Sequence, residues 1–519
     1  MKWMTRVIAF ICYASSVVLV VYFLFVKYRY ALFRYFDMDE LAYLYWTAHA
    51  ARGNLPYRDF LFILPPGYLF FLAPLFFFST DPIFTFFAAR ISSFVVFTLL
   101  VIVTMFIFFL LRKRWTAIIA GLFLVFLPLP YDKFIEVRPD TIAALFAMAG
   151  TFFQILWMER NEKRTRTVLA FLSGFCYGLS VFLLQKTIPH VVVATLIVFM
   201  WVNTHKRDKF RTMFPFIFGG CILFSLFFVW AIMTGNFVQV WYSITQLPSE
   251  VAQMGKDFPL PPLNYFLWTD IFFGKSGFNV VFLLNGWLWG TGLAIAVLRF
   301  VTSMLSRKRN TLLPDILLSA ICIVEALLFV FVVPFKHAQY LIPIAVFIAL
   351  YLADGVDFLW MCAKRQLPTL FLFFLFFIGL LPVFLRGYQD TTMVKFTWWN
   401  MSNQPDRVQL FTLLRTIPQK EYIFDLVGLS WYHPSPYYAS ATPFGQFSTY
   451  MSRPLPPLVH ELVTTDTKYI YQGGYRLHTL RLDDKDYILA HFTPVGDGSL
   501  LVRNDTIGEY TQLWNREQK

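Results

Sequence analysis

The sequence predicts a polytopic α-helical membrane protein with a small soluble domain after its last span. Of 519 residues, 58% are hydrophobic and the mean hydropathy is +0.57. Apolar runs of 18 or more residues recur along the chain, each long enough to cross a hydrocarbon layer of roughly 30 Å. A β-barrel would instead alternate apolar and polar residues in segments of about ten. Just past the first run stand Asp37, Asp39 and Glu40, in a chain only 14% charged. Acids this concentrated beside a bilayer are costly unless they bind a cation, take a proton or face water.

By apolar length, about 11 spans fall near 8–26, 84–111, 115–130, 141–158, 167–184, 188–203, 213–233, 278–303, 311–333, 338–360 and 368–386. The first run shows no small-residue cleavage site after Lys2 and Arg6, so it reads as an uncleaved span. Basic clusters occur at Arg112-Lys113-Arg114, Arg160 to Arg166, His205-Lys206-Arg207 with Arg211, Arg307-Lys308-Arg309 and Lys364-Arg365. With the N-terminus in the cytoplasm, every cluster falls on the cytoplasmic side and the acidic segment falls outside. The net charge of +13 reads as the same bias, with attraction to an anionic lipid substrate as the alternative. Short basic clusters between apolar runs make no nucleic-acid surface. The five cysteines, Cys12, Cys176, Cys221, Cys322 and Cys362, lie in or beside apolar runs and read as small buried hydrophobes, not as a disulfide framework.

Residues 27–82 form the first outer loop. Phe60 to Thr80 is apolar enough for a span, but the Leu64-Pro65-Pro66-Gly67 break shortens its helix. It is expected to be an interfacial or re-entrant helix on the outer surface. A second outer loop covers 234–275 and contains Pro259, Pro261 and Pro262. Residues 387–519 are mixed, with β-prone patches at Tyr469-Ile470-Tyr471 and Tyr487-Ile488-Leu489. They are expected to form an extracytoplasmic α+β domain, following a membrane domain of 1–386.

Several polar groups invite chemistry. Asp39 and Glu40 precede a helical-looking stretch, Leu41–Arg52, where acids favour the helix dipole. Equally, such carboxylates can take a proton from an acceptor hydroxyl or hold a hard divalent cation. Arg138-Pro139-Asp140 reads as a helix start, or as a phosphate-binding arginine with Asp140 positioning it. Lys186, in the turn after span 5, is a snorkelling lysine or a phosphate ligand on the outer side. Lys336-His337, before Tyr340 and Pro343, offers the same choice, with a histidine that titrates near neutrality. No Walker-type loop, Gly-x-Gly-x-x-Gly, Cys/His metal spacing or His-Glu-x-x-His is present, which argues against a soluble nucleotide-sugar enzyme.

The run Asp39-Glu40-Leu41-Ala42-Tyr43, then Gly53-Asn54-Leu55-Pro56-Tyr57-Arg58-Asp59-Phe60, Pro65-Pro66 and Leu72-Ala73-Pro74-Leu75, resembles the first outer loop of the GT-C glycosyltransferases. Within them it is most similar to bacterial relatives of the protein mannosyltransferases and of the lipid A aminoarabinose transferase. Arg90, Arg138-Pro139-Asp140, Lys186-Thr187 and His337-x-x-Tyr340-x-x-Pro343 match as well. The resemblance implies transfer of a sugar, with inversion, from a polyprenyl-phosphate carrier to a glycan, lipid or protein acceptor on the outer face of a bacterial plasma membrane.

It implies Asp39 as catalytic base with Glu40 beside it in acceptor or metal binding. Asp37 completes an Asp-x-Asp pattern that would suit Mg2+ or Mn2+. Arg138, Lys186, Lys336 and His337 are the implied donor-phosphate ligands, with Asp37, Tyr57, Asp59, Arg90 and Asp140 in support. The rival reading is a transporter or flippase of lipid-linked glycans. The missing inverted repeat and the position of the charges at outer span ends weigh against it.

Overall fold

The computed structural model describes residues 2–160, 162–204, 209–253, 280–306, 313–333, 337–366, 403–442, 450–473 and 476–517, with isolated residues between 371 and 448. They fall in two compact units. The first is drawn from Met1–Leu32, Ile91–Leu226 and Leu260–Asn400, the second from Phe33–Arg90, Phe227–Pro259 and Met401–Lys519. Most of the expected first outer loop, and Phe227–Pro259, thus group with the C-terminal segment. Among the described residues nine helices are long and apolar enough to cross a membrane, and the protein is an integral membrane protein. Most of span 11, Lys336, and Pro259, Pro261 and Pro262 lie outside the described residues.

The long helices are α1 (Lys2–Phe33), α4 (Pro82–Arg112), α6 (Pro139–Glu159), α7 (Lys163–Leu183), α8 (Ile188–Thr204), α9 (Lys209–Met233), α10 (Val280–Leu305), α11 (Leu313–Phe331) and α12 (Ile342–Gln366). Between α1 and α4 stand α2 (Met38–Ala51) and α3 (Gly67–Phe78). At 12 residues, α3 is about 18 Å long and too short to span.

The third expected span is a helix only over α5, Ala117–Phe126, because Pro128 and Pro130 forbid its continuation. Its segment still crosses the first unit. Thr116 Oγ1 donates to Asp357 at 2.8 Å at one end of α12, whereas the Lys133–Ile135 turn packs on the Ala338–Leu341 turn that precedes α12. The alternation of span directions therefore survives with a shortened helix.

In the first unit, several charged residues pair near helix ends, whereas Glu325 is buried within α11. Arg112 pairs with Asp315 at 2.8 Å and Asp354 at 2.7 Å, Arg299 pairs with Asp354 at 2.5 Å, and Arg114 pairs with Asp357. Arg112 and Arg114 belong to a basic cluster expected at the cytoplasmic face, and their partners on the other helices lie at the same end of the unit. Inside, Thr151 bonds His190 Nε2 at 2.9 Å and Tyr177 donates to Gln154 at 2.7 Å, a polar tie between helices. A Cβ on Gly174 or Gly178 of α7 would strike the backbone of Phe216 or Gly220 in α9, so only glycine permits that approach. Cys12, Cys176 and Cys322 are buried as expected, but Cys221 and Cys362 are exposed.

In the second unit, four strands order as β1-β2-β4-β3, with β1 Ile423–Asp425, β2 Tyr469–Tyr471, β3 Phe492–Val495 and β4 Leu500–Arg503. β1 runs parallel to β2, and the other pairs are antiparallel. Around them lie α13 (Gln404–Thr416), α14 (Leu458–Thr464), α15 (Leu482–His491) and α16 (Ile507–Glu517). The α+β expectation holds, but Tyr487-Ile488-Leu489 is helical. Asp483 and Asp484 in the first turn of α15 suit a helix N-terminus, and Ile488 is buried while Leu489 is exposed.

Asp354→Asn is expected to cost about 1–3 kcal/mol, because the carboxylate serves two arginines. A thermal melt in detergent micelles checks this; an unchanged melting temperature contradicts it.

Candidate active site

Two of the three acids are engaged in building the start of α2. Asp37 is the N-cap, in extended backbone at φ −76° and ψ 140°. Its carboxylate accepts from the Asp39 N–H at 3.0 Å, and Glu40 Oε2 accepts from the Asp37 N–H at 3.1 Å. This reciprocal pair is a capping box. Arg34 approaches Asp37 at 3.7 Å.

Glu40 is fully buried and so is Arg90. Arg90 Nε donates to Glu40 Oε1 at 3.0 Å and Nη2 to Oε2 at 2.6 Å, the two-pronged geometry that guanidinium and carboxylate share. Arg90 also donates to the carbonyls of Arg34 at 2.7 Å and Tyr35 at 2.5 Å, and its plane lies 4.5 Å from the Phe86 ring. Through Arg90, α4 thus fixes the chain leaving α1 and the first turn of α2. Asp39, the second residue of α2, is half-buried.

The C-terminal domain holds the same helix. Asp406, in the first turn of α13, accepts from the Phe36 N–H at 2.8 Å. Burial raises its carboxyl above the ordinary range, against the lowering by that N–H and by Arg90. Arg52, at the far end of α2, donates to the carbonyls of Trp431 at 2.7 Å and His433 at 3.1 Å. Gly428, at φ +101°, lies so close to α2 that a Cβ there would meet the Leu41 carbonyl at 2.8 Å. Burial, then the charge of Arg52, lowers His49 to about 3, so it stays neutral at any working pH.

Tyr57 and Asp59 build the loop. Tyr57 is buried at φ +72° and donates to Leu64 O at 2.6 Å. Asp59 accepts from the Leu55 N–H at 2.7 Å and from Arg58, which holds its carboxyl below the ordinary range.

The first unit gathers most of the cations expected to bind phosphate at one end. Arg138, the N-cap residue of α6, pairs with Glu136 at 3.1 Å and approaches Asp140 at 3.8 Å. Lys133 pairs with the same Glu136 at 2.5 Å. Lys186 is exposed, with its ammonium 3.5 Å from the centre of the Tyr340 ring, and His337 meets that ring edge-on at 5.6 Å. Buried Lys27 donates to Tyr131 O at 2.6 Å. Sequence reasoning missed Glu136 and Lys27. An acid between Lys133 and Arg138 was the available signal for the first.

Among the described residues no three His, Cys, Asp or Glu side chains converge as a metal site. Asp37 is engaged by the cap and Glu40 by Arg90, and no step below passes through a cation.

No protein-family model and no curated protein sequence matches the chain. Solved structures do match in fold. ArnT from Cupriavidus metallidurans bound to undecaprenyl phosphate aligns at TM-score 0.55 and 13% identity, over 94% of this chain and 97% of that one. The Archaeoglobus fulgidus oligosaccharyltransferase in the apo form aligns at 0.53 and 12%, over 94% and 74%. AglB from the same organism, in complex with an inhibitory peptide and a dolichol-phosphate, aligns at 0.52 and 11%, over the same shares.

Arg90→Ala is expected to cost about 3–5 kcal/mol by stranding buried Glu40, and Arg90→Lys to recover only part, since an ammonium cannot make the paired contact. Melting temperatures in micelles decide; wild-type stability in Arg90→Ala contradicts the pairing. The chain shares the fold of ArnT and of the Archaeoglobus fulgidus oligosaccharyltransferase.

Proposed function

We propose that the protein is an inverting glycosyltransferase that moves a sugar from a polyprenyl phosphate to an acceptor hydroxyl on the extracytoplasmic face. The N-terminus would be cytoplasmic and the C-terminal domain outside, in a bacterial plasma membrane. The observation that carries the reading is the division of labour in the acidic motif. Asp37 caps α2 and Glu40 is locked by Arg90, and the half-buried Asp39 stands between them in the first turn of the same helix. The shared fold with ArnT bound to undecaprenyl phosphate and with AglB bound to a dolichol-phosphate supports a lipid-phosphate donor.

In the proposed reaction Asp39 accepts the acceptor hydroxyl proton as its oxygen attacks the anomeric carbon. The bond from that carbon to the phosphate oxygen breaks through an oxocarbenium-like centre. The electron pair leaves with the polyprenyl phosphate. Arg138, Lys186, Lys336 and His337 are assigned to that developing charge, the kind of preorganised stabilisation that lowers such barriers. Arg138 would exchange part of its contact with Glu136 for the phosphate. Glu40 and Arg90 are positioning residues in this scheme, and Tyr57, Asp59 and Asp140 hold local structure.

Purified protein in nanodiscs, incubated with a panel of polyprenyl-phosphate sugars and candidate glycan, lipid and protein acceptors, should release polyprenyl phosphate and glycosylate one acceptor. Asp39→Ala is expected to fold normally and lose at least about 100-fold in turnover. Near-normal turnover would remove Asp39 from the role, and movement of intact donor across proteoliposomes without transfer would favour a flippase. Lys186→Ala is expected to raise the donor KM several-fold with a smaller change in acceptor KM, read from initial rates.

A further inference from the structure

The proposed base lies on the N-terminal side of the chain, yet the C-terminal domain brings a guanidinium to the same helix start. Arg476 opens the short turn Arg476–Thr479 after β2. Its Nη1 donates to the Leu426 carbonyl at 2.9 Å. That carbonyl belongs to a rigid turn. The fully buried Asp425 carboxylate accepts from the N–H groups of Val427 and Gly428 at 2.7 Å each and of Ser430 at 2.5 Å. Gly428 of this turn rests on the backbone of Leu41 and Ala42, two and three residues after Asp39. Two contacts therefore fix where Arg476 stands: its own bond to the turn, and the turn's seat on α2.

Burial lowers the Arg476 guanidinium below its ordinary value, and the carboxylates that push back are Asp39 first, then Asp425, then Asp37. Asp425 is committed to its three N–H groups and Asp37 to the cap. The other charged groups around the helix start are Glu40 on α2, Arg34 at the end of α1, Arg90 on α4 and Asp406 on α13. Arg90 is directed to Glu40 and the two carbonyls, and Arg34 faces Asp37.

Resting on the glycosyltransferase reading above, we propose that Arg476 is a positioning residue for Asp39: the C-terminal domain supplies the guanidinium that orients the carboxylate taking the acceptor proton. Misorienting a reacting group by about 1 Å can cost on the order of 100-fold. The domain thereby completes the catalytic arrangement, in addition to anything it does in recognising the acceptor.

The test is a double-mutant cycle on the full-length protein in nanodiscs, with the best donor and acceptor found for the wild type. Arg476→Gln is expected to lower kcat about 10–100-fold with both KM values within two-fold and the melting temperature nearly unchanged. Arg476→Lys should restore part of the loss. In an Asp39→Asn background, Arg476→Gln should add less than about two-fold, because its effect passes through the missing carboxylate. Losses that multiply in the double variant, or a wild-type kcat in Arg476→Gln, overturn the inference while leaving Asp39 as the base. Wild-type turnover in Asp39→Asn overturns both.

Discussion

The ion pair between Arg90 and Glu40 is the constraint on which the second unit turns. Both side chains are buried, and an ion pair in that environment is stable only when geometry is good and the remaining hydrogen-bonding groups are filled. Here they are filled. Glu40 also receives the Asp37 N–H, and Arg90 also serves the Arg34 and Tyr35 carbonyls. The gain is specificity of place. A helix start that might otherwise fray is tied to α4 and to the residues leaving α1, and Asp39 inherits that rigidity. The two bordering acids build the helix start, and a group held on such a support is what the proposed role of Asp39 as general base requires.

The first unit shows the other half of the economy of charge in a bilayer. Several of its ionic groups pair with one another near helix ends, with Arg112, Arg299 and Arg114 on aspartates at one end and Lys133 and Arg138 on Glu136 at the other. Charges placed mid-span would carry a large penalty. Glu136 changes how the cationic end should be regarded. It neutralises part of the positive charge that Arg138 and Lys133 bring there, whereas Lys186 lies exposed over the Tyr340 ring.

Much of this was legible in the sequence, for reasons that differ by residue. Span placement follows from apolar length, which is why α4, α6 and α8 lie within about two residues of expectation. The third span was mispredicted as one helix because hydropathy is blind to Pro128 and Pro130, whose effect is on backbone geometry. The Asp-Glu step and Arg90 were visible through the resemblance, but their division of labour was not: spacing cannot say whether a carboxylate faces an arginine 50 residues away. Asp406 and Gly428 left no local signal at all, since each meets the chain around α2 from about 370 or more residues downstream. Tyr487-Ile488-Leu489 shows the opposite failure, where β propensity yielded to a helix begun by Asp483 and Asp484.

The anomeric configuration of the product tests the central claim most directly. A single displacement with Asp39 as base must invert the donor's anomeric centre. The measurement is nuclear magnetic resonance of the glycosylated acceptor against the polyprenyl-phosphate donor of known configuration. The account predicts inversion in every turnover. Retention would require a covalent sugar intermediate on a nucleophile, and would contradict the role given to Asp39.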